Sequence, residues 1–184
     1  GYGRPYNYIE LPDEDGLFEL RDVPHGTLTQ EFYKSQISDN WEKLILYLPP
    51  CVPSAGLPVL YLQHGFGESE ISWSTTGKVN LLMDNLIAAG KIKPFAIVMG
   101  NGMVKQRIDG ELKLNRALYG QMLVEEILPM IEKKYQFGGS KEKRGMAGLS
   151  MGSVQTTRTI CEHPELFSEV GLFSGFLRHR IVGD

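Results

Sequence analysis

Two short stretches of this 184-residue chain hold residue types at spacings that could do chemistry. The first is Gly148-Leu149-Ser150-Met151-Gly152, which fits G-x-S-x-G. That pattern presents a serine on a strained turn between a strand and a helix. The flanking residues must be small because the backbone folds sharply there. The helix N-terminus then faces the reacting centre and favours developing negative charge. The surroundings agree: residues 143–149 read as a strand entering the turn, and 154–161 as a helix leaving it. The bland alternative is a Gly-rich turn with an idle serine.

The second stretch is His64-Gly65-Phe66-Gly67, directly after an apolar run that ends at Gln63. A serine nucleophile on such a turn uses two backbone donors to hold the oxyanion of acyl transfer. One is the N–H after the serine, here Met151. The other comes from a loop after an earlier strand, often Gly-rich and opened by His, which assigns it to the N–H of Phe66. Glycine there lets the backbone approach a substrate closely. His64 is read as a brace for this loop rather than as the general base.

These motifs need a scaffold. Residues 31–37 and 41–48 read as strands joined by a Ser38-Asp39-Asn40 turn, an antiparallel hairpin. Residues 58–63, 95–99 and 170–173 are short apolar runs, as expected of strands buried on both faces of a parallel sheet. Helical periodicity lies between them. Residues 79–89 place Leu82, Leu86 and Ala89 on one face, with Gly90 as a stop. Residues 115–135 form the longest helical pattern, which Pro129 kinks or divides. A third helix spans 150–161 and ends near Pro164. The first thirty residues read as loop, or as a strand lying over the domain. Alternating strands and helices after a hairpin predict one domain over 1–184, an α/β fold with a mostly parallel sheet and helices on both faces.

Composition narrows the partners. A formal charge of −3 without a basic run argues against nucleic acid. Lys141-Glu142-Lys143-Arg144, the densest basic stretch, reads as a solvated loop. No apolar run approaches the ~20 residues of a membrane span, and Gly1 to Pro5 do not resemble a signal peptide. Cys51 and Cys161 read as free thiols. No His, Cys and acid cluster stands at metal-ligand spacing, and no dinucleotide fingerprint appears. No metal and no cofactor is therefore expected.

Beyond the two motifs, several segments together bring a family to mind. They are Tyr61 to Gly67 followed by Trp73, Asn85 to Pro94, Val98 to Gly102, and Ala147 to Gly152. Val23 to Gly26, Leu46 to Pro50, His163 to Phe167 and Phe173 to Gly175 add to them. The chain resembles, over nearly its whole length, the esterase family of α/β hydrolases that contains feruloyl and acetylxylan esterases. Ser153 is a small departure, where the family often has glycine. The resemblance implies a serine carboxylesterase acting on ester-linked groups of plant cell-wall polysaccharide such as xylan, secreted or periplasmic, although a cytoplasmic location stays open. Superfamily relatives cleave S-formylglutathione or siderophore esters, or transfer mycolyl groups.

The resemblance also implies a triad acid and histidine after the nucleophile, each following a later strand. Only 34 residues follow Ser150, and they hold one helix and one strand. The expectation is a partial domain whose C-terminal strands are missing, and which associates as a dimer or with a complementing fragment. Of the four histidines, His25, His64 and His163 read as structural or solvated, and His179 alone is placed where it could be considered as base. Asp184 has no evident role. Trp73 and Asn101 lie near the expected mouth of the site, and residues 103–110 form a candidate wall or lid. Substrate-binding residues are otherwise not assigned. The alternative reading is a non-catalytic or incomplete binding or interaction module.

Overall fold

The structure, a computed structural model, describes residues 9–11 and 13–175. Eight strands and five α-helices are present among them. The strands are β1 (Thr27–Ser35), β2 (Asn40–Leu48), β3 (Val59–Gln63), β4 (Ala96–Gly100), β5 (Lys105–Ile108), β6 (Glu111–Leu114), β7 (Arg144–Leu149) and β8 (Glu169–Phe173). The helices are α1 (Ser72–Thr75), α2 (Val79–Ala88), α3 (Tyr119–Met122), α4 (Leu128–Tyr135) and α5 (Met151–Glu162).

Six strands form one sheet in the order β1-β2-β4-β3-β7-β8. β1, β2 and β4 pair antiparallel, while β4, β3, β7 and β8 run parallel. After β4 the chain crosses β3 to reach β7, so the order reverses beside the carboxyl end of β3. Crevices at such reversals are where open α/β sheets bind ligands. Both faces are covered. On one, Ile45, Leu62 and Ile97 pack against Val79 and Met83 of α2. On the other, Leu46, Tyr61, Val98 and Met146 meet Tyr119, Leu123, Ile127 and Ile131.

The hairpin, the parallel strands and the helix after Ser150 follow the sequence pattern; several details differ. β1 begins at Thr27, because Thr27 to Gln30 pair with Leu48 to Ile45 whatever their polarity. It ends at Ser35, since Glu126 Oε1 draws in the N–H groups of Gln36 and Ile37 at 2.7 and 3.2 Å. α2 buries Val79, Met83, Asp84 and Asn85 rather than the Leu82, Leu86 and Ala89 stripe. The N-terminal segment explains this. Asn85 Nδ2 donates to the carbonyls of Leu17 and Glu19 at 2.8 and 2.9 Å. Asp84 accepts from the Tyr47 hydroxyl and the Gly26 N–H at 2.6 and 2.9 Å, and pairs with His25.

The 115–135 pattern is divided: α3 passes into a π-helical turn, Leu123–Ile127, before α4. Pro129 stands in the first turn of α4. It has no N–H to donate, so the regular ladder cannot run through it. Arg144 is not solvated: its guanidinium grips the buried Glu132 carboxylate through two 2.7 Å hydrogen bonds. Residues 105–114 are a hairpin, not a loop, turning on Asp109 and Gly110, both at positive φ. β8 is not buried on both faces; Val170, Leu172 and Phe173 are each close to half exposed. Cys51 and Cys161 are free and exposed.

Candidate active site

Ser150 stands between the last residue of β7 and the first of α5, with φ 52° and ψ −108°. A non-glycine residue there carries strain on the order of 1–3 kcal/mol, sustained only by surroundings that fix it. The fixing contacts are visible. Ser150 N–H donates to Phe173 O at 3.0 Å, and its carbonyl accepts from the Ser153 and Val154 N–H groups at 3.0 and 3.3 Å. The two motif glycines are steric necessities. A Cβ on Gly148 would stand 2.3 Å from the Gly152 carbonyl, and one on Gly152 would stand 2.6 and 2.7 Å from the carbonyls of Gln63 and His64. The elbow therefore rests directly on the start of the His64 loop.

That loop is braced by His64 and by Glu68, and the neighbouring Gly102 loop by Gln155. His64 is buried, with Nδ1 2.8 Å from the Gly65 carbonyl and Nε2 accepting from the Gly102 N–H at 3.0 Å. This arrangement fits the neutral Nδ1–H tautomer, and burial holds its pKa below the ordinary 6.5. The brace reading of His64 is thus what the geometry gives. Glu68 Oε2 accepts from the Gly65 N–H at 2.8 Å. Gln155 Nε2, one turn into α5, donates to the carbonyls of Gly102 and Arg116, both at 3.0 Å.

Phe66, Ser150 and Met151 line one cavity of about 540 Å³. Leu114, Arg116, Gly120, Gln155 and Arg158 contribute to its walls. Arg116 places its guanidinium carbon 5.1 Å from the centre of the exposed Phe66 ring, a cation–π contact. Among the described residues, neither the Phe66 nor the Met151 N–H is taken up by an acceptor in the fold. Sequence reasoning missed Leu114, Arg116 and Gln155. The Asp109-Gly110 pair was a readable hairpin signal that would have placed Leu114; nothing local marks Arg116 or Gln155.

The other candidates lie elsewhere. His25 bonds Asp84 at 2.9 Å against α2, and His163 ends α5 beside Glu165 at 3.6 Å. His179 and Asp184 fall outside the described residues. Among those described, no side chain hydrogen-bonds Ser150 Oγ. Trp73 is partly buried against the core and packs on Phe173, with ring centres 5.9 Å apart. Asn101 accepts from the Met103 N–H at 3.0 Å.

Comparison with known proteins places the chain among esterases. The chain is 39% identical over 176 residues to an endo-1,4-beta-xylanase/feruloyl esterase of Xylanibacter ruminicola, matching 91% of this chain and 24% of that protein. A solved ferulic acid esterase is 28% identical with a TM-score of 0.71, over 83% of this chain and 60% of that one. A ferulic acid esterase of Anaeromyces mucronatus, solved with ferulic acid, shares the fold at a TM-score of 0.79 and 20% identity, over 89% and 63%. The chain thus spans less than two-thirds of each of these relatives. The family model described as "Putative esterase" matches residues 35–181, and the chain belongs to that family.

Proposed function

We propose that this chain carries the nucleophile and oxyanion hole of a serine carboxylesterase that releases feruloyl-type groups from xylan. Ser150 Oγ would attack the ester carbonyl carbon as its proton passes to a histidine base. The carbonyl oxygen would take the negative charge opposite the Phe66 and Met151 N–H groups. Collapse would expel the sugar alcohol, which takes up that proton, and leave an acyl-serine. Water, activated by the same base, would then release the acid.

The observation that carries this reading is the strained Ser150, held on the elbow at the wall of a cavity it shares with Phe66 and Met151. The aromatic ring of Phe66 and the apolar Leu114 and Met151 suit a phenolic acyl group. The names of the relatives support feruloyl esters of xylan. The base is proposed to come from outside the described residues: from His179, from further polypeptide, or from a partner chain at the β8 edge. A polymeric substrate cannot cross a membrane, which supports a secreted or periplasmic site of action. No helix among the described residues is long and apolar enough to span a bilayer.

The test is a fluorophosphonate probe read by intact mass. Labelling that disappears in Ser150→Ala is expected. A folded, unlabelled protein would remove the catalytic reading of this chain and leave a binding module.

A further inference from the structure

A second cavity, of about 470 Å³, is walled by the same loops after β3 and β4, by the turn end of the β1–β2 hairpin, and by Lys105 and Leu112 of the β5–β6 hairpin. Phe32 and Trp41 line it, 62% and 66% exposed. Phe32 pairs with Lys43 and Lys34 with Trp41, so the two aromatic residues are diagonal neighbours on one face. Beside them stands Glu70, whose side chain is 1% exposed. Its Oε1 lies 2.7 Å from Lys43 Nζ. Its Oε2 is buried without a hydrogen-bond donor among the described residues. Such an oxygen is costly unless something donates to it. Glu68 and Asn101, which also line the cavity, belong to the loops that flank Phe66 and His64.

Exposed aromatic faces next to a carboxylate with one oxygen lacking a donor match the chemistry of a sugar ring. Its C–H face stacks on an aromatic ring while a hydroxyl donates to the carboxylate. A cation fits less well, because Lys43 already pairs with Glu70, and no metal-holding cluster of His, Cys, Asp and Glu occurs among the described residues. We propose that this cavity is a subsite for a neutral sugar unit of the polysaccharide that bears the ester. The identity of that polysaccharide rests on the function proposed above.

The test uses xylotetraose as ligand, titrated by calorimetry into the Ser150→Ala protein with and without Trp41→Ala. Trp41→Ala is expected to weaken binding about tenfold, as loss of a stacking tryptophan does. With Ser150 intact, it should raise KM on a feruloylated xylo-oligosaccharide by a similar factor. Methyl ferulate, which has no sugar, should be turned over within about twofold of the parent rate, as for a surface change remote from the reaction. Glu70→Gln, close in shape, should weaken xylotetraose binding at an unchanged melting temperature. Absent xylotetraose binding, or binding that neither variant alters, overturns the subsite whatever the esterase does. Trp41-dependent binding in a protein that hydrolyses neither ester keeps the subsite and removes the esterase reading instead.

Discussion

Gly152 and His64 show how closely the nucleophile turn and the oxyanion loop depend on each other. A methyl group on Gly152 meets the carbonyls of Gln63 and His64 at 2.6 and 2.7 Å. Gly152→Ala is therefore expected to cost about 1–3 kcal/mol of stability, the usual range for overpacking. It should slow fluorophosphonate labelling further, because the displaced carbonyls belong to the loop that positions Phe66. Thermal melts beside labelling rates would show both. His64 adds a pH dependence. Burial depresses its pKa, so the folded state binds fewer protons than the unfolded state below the ordinary value of 6.5. Its contribution is full above 6.5 and is lost as the pH falls toward the depressed folded value. Protonation would also place an N–H against the Gly102 N–H. The parent protein should thus lose melting temperature below 6.5 faster than His64→Gln, and the difference between the two curves isolates this histidine.

At the scale of elements, Glu132 joins α4 to the start of β7. Its carboxylate takes both hydrogen bonds of Arg144, the Tyr61 hydroxyl at 3.0 Å and the Gly139 N–H at 2.8 Å. Glu132→Ala leaves a buried guanidinium unpaired and should cost about 3–5 kcal/mol in chemical denaturation. Adding Arg144→Met should recover part of that loss, since the pair itself adds little over a packed apolar contact. None of this was legible: Arg144 sits in a basic run that looks solvated, and its partner is twelve residues away in another element. What was legible rests on local physics. Apolar runs marked β3 and β4 because both are buried on each face, and small residues marked the elbow because no side chain fits there. The buried stripe of α2 misled because a polar stretch, tied down by Asp84 and Asn85, covers the other side. The β5–β6 hairpin is mostly exposed, so no apolar pattern announced it.

For the whole molecule, no described side chain serves Ser150 as base, and the sheet edge is where the source of that base can be tested. Val170, Leu172 and Phe173 of β8 expose apolar surface on the edge strand next to β7, and Glu169 is its only charge. Edges of this kind pair with other polypeptide unless guarded by charge. Ser150 is tied to this strand through its N–H to Phe173 O, so whatever covers β8 lies next to the nucleophile. If a partner chain supplies the base, fluorophosphonate labelling per molecule should rise with protein concentration, in step with mass by light scattering. Leu172→Lys, which places a charge on the exposed edge strand, should reduce both together. If His179 supplies it, labelling should be independent of concentration and vanish in His179→Ala while Leu172→Lys leaves it intact. A monomer that labels at every concentration in both variants would show that the base comes from neither source.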